Sequence, residues 1–103
     1  MDSVQKAEIN AGVAAAGTVE GSVLVDVRTE EEYAAGHIPG SRNVPSPYIQ
    51  RLGDEITDLN TPLYIYCQSG GRSKRAARLL ASVGYTNVTD LGGLCGWTGP
   101  LEK

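Results

Sequence analysis

Apolar residues fall along this chain in short continuous runs, separated by stretches with helical spacing. "SVLVDV" (22–27) and "PLYIYC" (62–67) are uninterrupted and rich in β-branched or aromatic residues, the pattern of strands buried on both faces. "NVTDL" (87–91) predicts a short final strand, and the turn in "HIPGSRNVP" (37–45) leads into a very short one near Asn43–Val44. Between the strands lie helices. Val4, Ile9 and Val13 among alanines predict one over 4–16. In "TEEEYAAG", Thr29 and Glu32 have the spacing of a capping box and Gly36 supplies the stop. Pro45 and Pro47 interrupt the chain before a helix around Tyr48–Leu52. "RSKRAARLLASVG" places Ala76, Ala77, Leu79, Leu80 and Val83 on one helical face, with Gly84 as its cap. Alternating strands and helices imply an α/β fold, a parallel sheet covered on both faces; the pattern leaves the strand order open.

Composition narrows the class. At 103 residues with 41% apolar and 20% charged residues, the chain is expected to be one globular domain over 1–103. No run approaches the roughly 20 apolar residues of a membrane-spanning helix. "MDSVQKAEIN" lacks the basic start and apolar stretch of a secretory signal, so a reducing, cytoplasmic setting is expected. The net charge of −3 gives no reason to expect nucleic acid, but its distribution is uneven. Arg72, Lys74, Arg75 and Arg78 put four of the nine cations into seven residues without an acid, leaving five cations against twelve acids elsewhere. On an acidic body, such a cluster concentrates small anions locally. For Lys74 and Arg78 a simple solvated face is the preferred reading. Two cysteines, Cys67 and Cys95, and one histidine are too few for a disulfide scaffold or a metal site, so no cofactor or metal is expected.

The cations adjoin a thiol. Cys67 closes the strand run "PLYIYC", and a Gly-rich loop and a helix start follow it. In open parallel α/β sheets, ligands bind beyond the carboxyl ends of the strands. At that point the helix dipole and the unpaired N–H groups of the first turn favour an anionic sulfur. Gly70 and Gly71 allow left-handed backbone angles, so that successive N–H groups converge on one anion. The segment reads as an anion cradle with a nucleophile in its floor. A small buried hydrophobe ending a strand is the plainer role for Cys67, but the coincidence of thiol, glycine pair and cations weighs against it.

Three segments carry a family resemblance. "VLVDVRTEEEYAAGHIPGSRNVP" resembles the N-terminal signature of rhodanese-like domains, "YIYCQSGGRS" their active-site loop, and "LGGLCGW" their closing Gly-Gly-x-x-x-Trp segment; together they span 23–97. The resemblance implies a rhodanese fold with a parallel sheet of four or five strands flanked by helices. It also implies sulfane-sulfur transfer through a persulfide on Cys67, from thiosulfate or another persulfide donor to cyanide or a thiol. A protein persulfide could be donor or acceptor. Gln68, Ser69, Gly70, Gly71, Arg72 and Ser73 would form the cradle, Arg72, supported by Arg75, would bind the anion, and Ser73 would cap the helix or bond the sulfur. Gln68 and Ser69 are neutral where thiosulfate-preferring members often carry cations, so weak thiosulfate binding is expected. Asp26 has two readings, orienting the loop arginine or making a local salt bridge or turn contact, and Arg28 stands beside it.

Remaining residues have quieter readings. His37 sits in the "GHIPG" turn, where a structural hydrogen bond is expected rather than base catalysis. Trp97 and Tyr85 are expected to pack on the core, and Tyr33 on its rim. Cys95 is expected to be a buried, inert thiol; the alternative is a resolving cysteine that attacks the Cys67 persulfide. Two other functions stay open. One is a non-catalytic binding module on the same fold. The other is a phosphatase or arsenate reductase, which the loop length opposes: related phosphatases use Cys-x5-Arg, whereas Cys67 and Arg72 are separated by four residues.

Overall fold

The computed structural model describes residues 4–103; residues 1–3 of the expected domain span lie outside the described residues. Five strands form one all-parallel sheet in the order β1-β5-β4-β2-β3: β1 (Gln5–Lys6), β2 (Val23–Asp26), β3 (Arg42–Asn43), β4 (Leu63–Cys67) and β5 (Val88–Gly93). The helices are α1 (Ile9–Ala16), α2 (Glu30–Ala35), α3 (Leu52–Glu55) and α4 (Gly71–Ser82). A 3-10 helix (Ser46–Arg51) precedes α3, and another (Leu94–Gly96) follows β5. The fold is α/β, as the alternation predicts.

Strand alternation sorts the sheet into two cores. Leu63, Ile65 and Cys67 of β4, with Val25 of β2 and Val27 just beyond it, face a cluster completed by Ile49, Leu52, Ala76, Ala77 and Leu80. On the opposite face Tyr66 joins Ile9, Ile38 and Leu91, with Leu24, Tyr64 and Trp97 packed around them. Each fully buried Leu or Ile contributes roughly 1.5–3 kcal/mol. Cys67 is thus held in a hydrophobic wall, while its strand neighbour Tyr66 points the other way. Tyr66 is fully buried and burial raises its pKa; its hydroxyl accepts from the Ile38 N–H at 3.1 Å and meets Ser41 Oγ at 3.2 Å.

Two elements differ from the sequence pattern. The helix expected over 4–16 begins only at Ile9, because Glu8 caps it by accepting from the Ala11 N–H at 3.0 Å. The residues before it add an edge strand instead, Gln5 and Lys6 pairing with Thr89 and Asp90. Further along, the helix expected near Tyr48–Leu52 is a 3-10 turn running into the single turn of α3. By contrast, the capping box of α2 is present, and α4 ends in a Schellman motif. There Gly84 (φ 116) donates to Ala81 O and Tyr85 N–H to Leu80 O. Among the described residues no helix is long and apolar enough to cross a membrane.

Candidate active site

Because the sheet is parallel, the ends of β2, β4 and β5 meet at one edge, and Cys67 is the last residue of the central one. It is 1% exposed, and its Sγ accepts a hydrogen bond from the Gly70 N–H at 3.0 Å. That bond requires the chain to double back within three residues. Gly70 does so at φ 104, in the left-handed region, and α4 begins at Gly71. Gly71 corrects the expectation, having no positive φ. The Arg75 guanidinium folds back over it, its Nη1 3.9 Å from where a Cβ would stand, an ordinary contact distance.

The loop rests on the end of β5. A Cβ at Gly93 would fall 2.6 Å from Gln68 O and 2.9 Å from Ser69 Cα, so backbone meets backbone there. The Cys95 N–H donates to Gln68 O at 3.2 Å from the other side. Asp90, which the sequence reading missed, ties this edge together. Its Oδ1 accepts from the Gly92 N–H at 2.9 Å and from Ser73 Oγ at 2.8 Å. An aspartate two residues before a left-handed glycine is an Asx-turn signal, and Asp90-x-Gly92 carries it. Ser73 is thereby corrected: it is fully buried and spends its hydroxyl on Asp90 and Gly70 O (3.1 Å), not on the sulfur, and α4 has no side-chain cap.

Of the two readings of Asp26, the structure takes the local salt bridge rather than a contact to Arg72: Asp26 is fully buried against Arg28, which is 3% exposed. Arg28 Nη2 donates to Asp26 Oδ2 at 2.7 Å and to Gly36 O at 2.6 Å, and Nε reaches both carboxylate oxygens. Burial alone would lower the Arg28 pKa, but hydrogen bonds and charge from Asp26 outweigh it and hold it above its ordinary value. Arg28 Nη1 reaches Gln68 Oε1 at 3.5 Å, so the Asp26–Arg28 plate extends to the residue after Cys67.

Arg72 pairs with Glu32, forty residues away. Its Nη1 and Nη2 donate to Oε1 and Oε2 at 2.6 and 3.0 Å. Glu32 thus serves two partners, since Oε1 also accepts from the Thr29 N–H at 2.9 Å in the capping box. The Arg72 hydrogen bonds pull the Glu32 pKa down to about 2, and Glu32 in turn raises that of Arg72. Gln68 and Ser69 are exposed at the rim.

Beyond the loop, His37 behaves as the turn predicts. Its ring stacks on Tyr33 at 3.7 Å between centroids, its Nδ1 lies 2.9 Å from Tyr33 O, and its backbone bridges Glu102. Tyr85 is buried and donates to Ile56 O at 2.5 Å, while Trp97 is half-buried on the second core. Cys95 contradicts its expectation: it is exposed on a 3-10 turn, because the flanking Leu94 and Trp97 take the inward positions. A cavity of 530 Å³ lined by Ile56, Leu59, Leu80 and Val83, among others, opens at the opposite end of the strands and includes no loop residue.

Comparison with known proteins agrees with this geometry. The family model described as Rhodanese-like domain matches residues 6–99. YqhL of Bacillus subtilis (strain 168) is 40% identical over 80 residues, covering 77% of this chain and 63% of that protein. Thiosulfate sulfurtransferase PspE of Escherichia coli (strain K12) is 35% identical over 71 residues, 68% of each chain. This chain therefore spans less than two thirds of YqhL and about two thirds of PspE. Among solved structures, a rhodanese with anions from E. coli superposes with a TM-score of 0.74 at 32% identity, covering 80% of this chain and 98% of that one. With a matched sequence over nearly its whole length, a shared sheet and a cysteine loop at the strand ends, the chain belongs to the rhodanese-like domain family.

Proposed function

We propose that this protein is a sulfurtransferase that carries sulfane sulfur as a persulfide on Cys67. The observation that carries the reading is the Gly70 N–H aimed at a buried Cys67 Sγ from a helix N-terminus, 3.0 Å away. A sulfur added to Sγ would extend the anion into the loop of Gln68, Ser69, Gly70, Gly71 and Arg72, with Ser73 holding that loop from beneath. The N–H groups there stabilise negative charge without needing to reorganise.

The cycle has two half-reactions. Cys67 thiolate attacks the outer sulfur of thiosulfate; the Sγ–S bond forms, the S–S bond of thiosulfate breaks, and sulfite leaves with the electron pair. Cyanide or a thiolate then attacks the terminal sulfur, forming thiocyanate or a new persulfide and returning the Cys67 thiolate. One nucleophile serving both steps predicts ping-pong kinetics. Thiosulfate is favoured as a donor by the name that PspE carries. A protein or small-molecule persulfide would fit the same loop. The reading requires thiols rather than a disulfide at rest and so favours a reducing compartment, the cytoplasm.

Intact mass of the reduced, desalted protein after thiosulfate, then after cyanide, tests this directly. One added sulfur, removed by cyanide and absent from Cys67→Ser, is the expected result. No adduct from either thiosulfate or a thiol persulfide would overturn the reading in favour of a non-catalytic module.

A further inference from the structure

The cations beside the loop are not equally available. Arg28 is buried against Asp26, and Arg72 has both Nη atoms on the Glu32 carboxylate, so each of these charges is met by an opposite one. Arg75 is different. It is exposed, one helical turn beyond Gly71, and among the described residues no carboxylate lies within ion-pair distance of it. Its guanidinium folds back toward the loop, Nη1 lying 3.9 Å from where a Cβ of Gly71 would stand.

Arg75 also lines a cleft of 240 Å³ between α4 and the 3-10 helix, facing Ser46 and Pro47. The Ser46 N–H donates to Val27 O at 2.9 Å, and Val27 donates to Tyr66 O at 3.0 Å. The far wall of the cleft is thereby tied to the same strand edge that carries Cys67. The cleft includes no residue of the cysteine loop, but its Arg75 wall belongs to the helix that the loop opens, so an anion drawn to this uncompensated guanidinium is held beside the loop. Charge at such a mouth raises the local concentration of anions and their rate of arrival.

We propose that Arg75, rather than Arg72, is the anion-docking residue of this site: it receives the oxyanion end of a small sulfur donor such as thiosulfate, while Arg72 fastens the loop to α2. The choice of donor rests on the sulfurtransferase reading; the attraction of anions does not, and it is measured separately.

The test compares Cys67 alkylation by iodoacetate, an anion, with alkylation by neutral iodoacetamide. It is run on a Cys95→Ser background so that the exposed thiol does not compete. Removing the charge in Arg75→Gln should lower the iodoacetate-to-iodoacetamide rate ratio about three- to tenfold, the size expected for one charge at close range in a wet mouth. Arg75→Lys should keep most of the ratio, and Lys74→Gln, an exposed neighbour, should leave it within about twofold of the parent. The KM for thiosulfate should rise by a similar factor in Arg75→Gln with kcat little changed. An unchanged alkylation ratio, an equal drop in Lys74→Gln, or a Cys67 that neither reagent reaches would overturn the proposal. A lowered ratio in a protein that never takes up sulfur would instead leave Arg75 as an anion site and remove sulfur transfer.

Discussion

Two arginine–carboxylate pairs flank the loop, and they do different things. Asp26–Arg28 joins residues two apart in sequence, is almost wholly buried, and uses its remaining donors on Gly36 O and Gln68 Oε1. Glu32–Arg72 joins residues forty apart, with both side chains about one-third exposed. The first is part of the scaffold, because a buried charge that loses its partner has nowhere to find water. The second is a fastening between α2 and α4 that solvent partly screens. Burial rather than bond length separates them, since the shortest contact in each is 2.7 and 2.6 Å.

The comparison breaks most visibly at Asp26. Asp26→Ala leaves the Arg28 guanidinium buried and unpaired, and should cost about 3–5 kcal/mol in urea unfolding. Asp26→Asn, which keeps the shape and one acceptor, should lose less; equal losses would mean that packing rather than charge holds the plate. A change without charge comes next. Gly93→Ala pushes a methyl group against Gln68 O, and should cost about 1–3 kcal/mol by overpacking while slowing sulfur uptake at Cys67. Sulfur uptake at the parent rate would show that the loop tolerates displacement.

The Glu32–Arg72 pair should matter less. A double-mutant cycle with Glu32→Gln and Arg72→Gln should return a coupling of about 0.5–1 kcal/mol, since a glutamine in place of Glu32 can keep the cap while losing the charge. A coupling above about 3 kcal/mol would place this pair with the buried one. The smallest effect is on pH dependence. Because Arg72 depresses Glu32 from 4.5 to about 2, the pair's stabilisation is fully present above pH 4.5 and lost as pH falls toward 2. The stability gap between the parent and Glu32→Gln should therefore close across that window, and a gap that persists at its acid end would show that the ion pair is not its source.

These pairs also mark the limit of what the chain disclosed by pattern. The strands of the inner sheet, the α2 capping box and the Cys67 loop were legible because each is written in consecutive residues. Glu32–Arg72 was not, since local spacing already explained Glu32 as a cap and said nothing of a partner forty positions on. The edge strand Gln5–Lys6 carries no apolar run, being exposed, and its pairing with β5 depends on tertiary position. Cys95 misled for the opposite reason. The general tendency of free cysteines to be buried suggested an inward thiol, yet a 3-10 turn gives each side chain a separate direction. Asp90 had a local signal, but its link to Ser73 exists only once β5 and α4 are side by side.

The contact between Gly93 and the loop has a consequence for redesign. With Gln68 O only 2.6 Å from where a Gly93 Cβ would stand, and the Cys95 N–H bonded to the same oxygen, the end of β5 acts as a gauge for the number of residues between Cys67 and Arg72. Lengthening the loop by one residue, as a phosphate-sized ring would need, asks the added backbone to bulge away from that stop or to lever the strand end out of the sheet. Converting this scaffold to bind a larger oxyanion therefore begins at Gly93, with the insertion in the cysteine loop made second.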